Sequence, residues 1–114
     1  MSSEVSDILA FERQIADAKL LVERRQIAMR LAENREFRKL ILDGFCLHDA
    51  ARYVQESADP FLNAEQRQDA LNMAQASGHL KRFLSITIQM GAHAERTIGD
   101  LEEALVQARE EGND

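Results

Sequence analysis

The stretch LKRFLSITIQMGAHAERTIGDLEEALVQA, residues 80–108, decides the fold. Within it Leu80, Leu84, Thr87, Gly91, Ala94, Ile98, Leu101, Leu105 and Ala108 are separated by alternating intervals of four and three without a break. Residues so spaced share one face of a helix, so the pattern predicts a helix over about 80–110 whose stripe is buried against another helix. The middle of the stripe is made of small residues. Gly91 and Ala94 let a facing backbone come close, or leave room for a large side chain such as Phe11, Val22 or Met29. Glycine costs a helix about 1 kcal/mol relative to alanine, so a helix containing Gly78, Gly91 and Gly99 has to be held by packing rather than by propensity.

A facing seam lies at the other end of the chain. Ile8, Phe11, Ile15, Ala18, Val22, Arg25, Met29 and Ala32 repeat the three–four spacing, predicting one long helix over about 7–33. Ser6 is the expected N-cap, with Asp7 in the first turn where the helix dipole favours an anion. Arg25 is the charged interruption. At a seam position, a half-buried charge sets register and partner choice.

Between the seams the texture changes. Phe37, Leu40 and Ile41 suit a short helix over about 35–43 that Gly44 would stop. A second, about 47–58, would carry Leu47, Ala50, Ala51, Val54 and Ala58 on its apolar side, and Asp59-Pro60 would end it. Asn63-Ala64-Glu65-Gln66 reads as an N-cap with a glutamine three residues on, opening another helix through Leu71, Met73 and Ala74. That helix either stops at Gly78 or runs on to 110. The expected fold is therefore all-α: a single helical domain over 1–114, built as a long antiparallel hairpin of coiled-coil-like arms (7–33 and 80–110) with a small helical insert (35–78). Pairing of the arms within one chain and between chains are both open.

Composition agrees with this. Sixteen Ala and thirteen Leu stand against one Pro, one Tyr and no Trp in 114 residues, which favours helix over strand. Fourteen basic and twenty acidic residues give a net charge of −6, which argues against nucleic acid or anionic membrane as partners. No apolar run reaches the length of a membrane span, and Met1-Ser2-Ser3-Glu4 lacks the basic-then-apolar order of a signal peptide, so an intracellular soluble protein is expected. The lone Cys46 fits a reducing compartment.

The residues offer little for chemistry. His48, His79 and His93 form no i, i+4 pair, so no metal is expected. Asp43, Cys46, His48 and Asp49 read as a helix junction, with an aspartate as cap and Cys46 as a small packed hydrophobe. The carboxylates at Glu65, Asp69, Glu95, Glu102 and Glu103 are interleaved with arginines and lack the Glu-x-x-His pattern of a di-metal bundle. Arg24, Arg25, Arg35, Arg38 and Lys39 are the one basic concentration, with only Phe37 nearby for stacking. No enzyme, cofactor or metal is expected.

Arg35-Glu36-Phe37-Arg38-Lys39-Leu40-Ile41-Leu42-Asp43-Gly44-Phe45, followed by Ala50-Ala51-Arg52 and Ala58-Asp59-Pro60, resembles a pattern of small virion or morphogenesis-region proteins of tailed bacteriophages. The resemblance covers about residues 15–108 and departs at Cys46-Leu47-His48, where the family pattern has acidic residues. It carries no catalytic residues. It implies a virion or head-assembly role in the bacterial host cytoplasm, or incorporation in the virion, with a phage protein as partner. The alternative is a small acidic effector that binds and inhibits a host protein.

The remaining apolar residues lie off the seams. Leu20, Leu21, Ile27 and Leu31 on the first arm, and Phe83, Ile86, Ile88 and Met90 on the second, would be only partly covered by one antiparallel pair. They are the expected self-association surface of a homo-oligomer, most simply a two-fold dimer that packs its arms into four helices.

Overall fold

The computed structural model describes residues 3–112. They form α1 (Ser3–Glu33), α2 (Arg35–Phe37), a π-helical stretch (Arg38–Asp49), α3 (Ala50–Ser57) and α4 (Ala64–Gly112), with no strand among them. None of these helices is long and apolar enough to cross a membrane. The chain forms two compact units: residues through Ile27 together with those from Thr87 on, and Ala28–Ile86.

In the first unit, α1 and α4 pack as an antiparallel hairpin. Glu12 meets Arg109 at 3.1 Å and Arg25 meets Glu95 at 3.2 Å, so numbering rises along one helix as it falls along the other. Ile15 and Ala18 are buried on α1, with Gly91, Ala94 and Leu105 on α4, all of them at predicted seam positions. Gly91 resolves the choice between close approach and a large inserted side chain. A Cβ at this position would lie 2.2 Å from the Arg25 Cβ and 2.8 Å from the Leu21 carbonyl oxygen, so the two backbones come together here and no side chain fills a gap. Helix α1 begins at Ser3, which places Ser6 inside it rather than at its N-cap.

In the second unit the first seam changes phase. Ala28, not Met29, is the buried residue after Arg25, and Met29 is exposed. Both choices satisfy a three–four spacing, but the small alanine permits closer approach of the neighbouring helix. Asn34 then interrupts the helix for a single residue. Its backbone is extended (φ −68°, ψ 124°), and its Oδ1 accepts from the Phe37 backbone N–H at 2.8 Å, capping α2.

Gly44 does not stop a helix. Residues 35–57 are helical throughout, and Arg38–Asp49 widen into π geometry, in which backbone N–H groups bond to carbonyls five residues back. Along this segment Phe37, Ile41, Leu42, Gly44, Phe45, Cys46, Asp49 and Ala50 are partly covered, while Leu40 and Leu47 stand in solvent. Because the helix continues, the junction read at residues 43–49 has no cap to fill. Asp49 makes no capping bond and lies 3.6 Å from Arg52 instead, and Asp43 is exposed. The predicted apolar side of the 47–58 segment is likewise not buried: Leu47, Ala51, Val54 and Ala58 are exposed.

Helix α3 ends at Ser57, before Asp59-Pro60 as expected. The next turn leads into a reciprocal capping box: Asn63 N–H donates to Gln66 Oε1 at 3.0 Å, and Gln66 N–H donates to Asn63 Oδ1 at 2.8 Å. From Ala64 the helix continues through Gly78 to Gly112. A Cβ at Gly78 would meet nothing within 4 Å, so this glycine marks neither a close approach nor a stop. Ala70 and Ser77 are buried on the inner side of α4. The Ser77 carbonyl accepts from Cys46 Sγ at 3.6 Å, and its hydroxyl donates to the Ala74 carbonyl at 2.7 Å.

Candidate functional site

The predicted association residues sort by helix face. On α1, Leu20, Ile27 and Leu31 share a side by helical spacing and are all exposed, Leu20 most at 60%. On α4, Phe83, Ile86 and Met90 do the same. Leu21 and Ile88 are half-buried instead. The Leu21 backbone carbonyl lies at the Gly91 approach. Val5, Leu9 and Val106 add further exposed apolar side chains on the two arms.

Arg25 sits where the sequence placed it, at the seam. Its Nη1 reaches Glu95 Oε1 at 3.2 Å, while its Nε is buried and makes no hydrogen bond. The aliphatic part of the side chain packs over Gly91, so the residue links the closest approach of the two backbones to an ion pair at its edge. A pair with one partner nearly half exposed contributes at most about 1 kcal/mol. Its effect is on register: only Gly91 accommodates the Arg25 Cβ at that level.

The polar group near Gly44 does not converge. Cys46 is half-buried against the Ser77 carbonyl and His48 is exposed. Among the described residues no group of three or more His, Cys, Asp or Glu is placed to hold a metal. Arg35, Arg38 and Lys39 line a shallow depression of about 300 Å³ together with Glu33 and Asp43, so the basic concentration is a mixed-charge surface.

Two features escape a reading by period. The first is around Arg52, whose guanidinium lies 2.9 Å from Glu56 and 4.6 Å from the centre of the Tyr53 ring. Its hydrogen bonds to Glu56 and then Tyr53 raise its pKa above the usual arginine value. The second is Phe61, which is 96% exposed in the turn between α3 and α4. The one sequence signal for it is a phenylalanine directly after proline in an otherwise polar turn. A buried phenylalanine contributes about 1.5–3 kcal/mol over an exposed one, and here the chain forgoes that stabilisation.

Comparison of the chain with protein-family models, curated proteins and solved structures gives no match.

Proposed function

We propose that this chain is a non-enzymatic protein–protein interaction and assembly protein that works as a homo-oligomer. One observation carries the reading. Among the described residues fifteen large apolar side chains are exposed, whereas Ile15 and Leu105 are the large aliphatic ones that are buried. Several of the exposed ones are aligned on single helix faces, as expected for surfaces that meet another helix. Covering four Leu- or Ile-sized side chains contributes roughly 6–12 kcal/mol, comparable with the cost of association. The simplest closed arrangement is a two-fold dimer.

The resemblance to small tailed-phage morphogenesis proteins supports head or virion assembly in the bacterial cytoplasm as the setting. The net charge of −6 supports a second reading, an acidic effector that binds a host protein. Mass spectrometry of purified virions separates the two: a stoichiometric copy number favours assembly, and absence favours the effector.

Light scattering over a wide concentration range tests self-association. The expected mass is a multiple of 12.9 kDa that falls to 12.9 kDa in the Leu20→Glu, Ile27→Glu double variant with helical circular dichroism retained. A wild-type mass of 12.9 kDa at every concentration overturns it.

A further inference from the structure

Phe61 is the most exposed large apolar side chain among the described residues, at 96% against 71% for Leu40, the next. It is held there by a bonded turn. Its backbone N–H donates to Asp59 Oδ1 at 2.9 Å, and the Leu62 N–H donates to the Asp59 carbonyl at 3.2 Å. The Asn63–Gln66 capping box follows at once, and the Arg67 guanidinium donates to the Leu62 carbonyl. Pro60 fixes its own φ. Leu62 faces a shallow cavity of about 360 Å³ with Tyr53 and Ala70, so the turn is footed by one apolar residue while its neighbour points outward.

We infer that this turn is a docking tip distinct from the helical stripes, with Phe61 as the anchor for a partner protein surface that joins an apolar pocket to a cationic rim. Aromatic side chains dominate binding energy at interfaces, and an anchor whose backbone is already ordered loses little entropy on docking. The charge around it selects the rim. Between residues 52 and 69 Glu56 is paired with Arg52 at 2.9 Å, which leaves Asp59, Glu65 and Asp69 against Arg67. A cationic rim is attracted by that excess, which raises the association rate and disfavours acidic partners and anionic lipid.

The test uses the full chain, isotopically labelled, titrated in NMR with two small hosts of like cavity. One is neutral β-cyclodextrin; the other is an amino-substituted β-cyclodextrin with ammonium groups on its rim. Shifts should centre on residues 59–63 with both hosts, and the ammonium host should bind about tenfold tighter at low salt, the gap closing as salt screens it. Phe61→Ala should abolish both responses. Glu65→Gln with Asp69→Asn should remove the preference and leave neutral binding intact. The Leu20→Glu, Ile27→Glu chain should respond as the wild type does, which keeps this result separate from self-association. Equal binding of the two hosts, shifts that survive Phe61→Ala, or Phe61-dependent binding to neutral phosphatidylcholine vesicles overturns the inference.

Discussion

In the unit formed by residues through Ile27 and from Thr87 on, burial falls on Ile15, Ala18, Gly91, Ala94 and Leu105, all on two regular seams. In the Ala28–Ile86 unit it falls on Ala28, Ala70 and Ser77, with no large apolar residue among them. The first unit has regular α geometry and backbone approach at Gly91; the second has a one-residue break at Asn34, a twelve-residue π-helical stretch and a fully exposed phenylalanine. The difference shows what a sustained heptad does. Where the spacing persists, small residues suffice to lock two helices together. Where it lapses, the helix breaks at Asn34 and widens into π geometry over Arg38–Asp49, and large apolar residues such as Leu40 and Leu47 remain at the surface.

The sharpest way to break the contrast is Gly91→Ala. The added Cβ would meet the Arg25 Cβ and the Leu21 carbonyl, neither of which can rotate away, so a loss of about 3 kcal/mol is expected in urea unfolding. Gly78→Ala and Gly99→Ala meet nothing within 4 Å and should each gain up to about 1 kcal/mol by helix propensity. Should Gly91→Ala also gain, the close approach does not hold the hairpin together.

Next in size is a truncation in each unit. Leu105→Ala removes one of the buried large residues and should cost about 2–3 kcal/mol, while Leu47→Ala, on the exposed side of the π-helical stretch, should cost less than about 0.5 kcal/mol. Equal losses in thermal or urea unfolding would show that the two units bury apolar surface alike.

A smaller effect is expected at the start of α4. Asn63→Ala removes the acceptor for the Gln66 N–H and should cost about 1 kcal/mol, with amide exchange accelerated at Ala64–Gln66 before it rises elsewhere. The smallest is Glu12→Gln. Both it and Arg109 are about half exposed, so the change should stay within about 0.5 kcal/mol and shrink further in high salt.

Much of the fold was legible because its signals are local. The two long helices, the Asp59-Pro60 stop and the Asn63 capping box follow from spacing and backbone chemistry within a few residues. The middle segment was not legible: Gly44, a residue type that often ends helices, lies inside a helix that continues and widens over Arg38–Asp49, and Leu47 and Val54, read as inward, are exposed. The candidate surface was partly legible. Leu20, Ile27, Leu31, Phe83, Ile86 and Met90 are exposed, while Leu21 is half-buried.

By itself the sequence determined that the chain is helical, that its ends carry facing seams and that its charge is acidic, because periodicity and composition are fixed by covalent order. The tertiary structure alone decided three further points: Ala28 rather than Met29 continues the seam, residues 38–49 widen into a π-helix, and Phe61 is left in water. Each depends on which neighbour arrives and how closely, and packing between segments distant in the chain sets that distance.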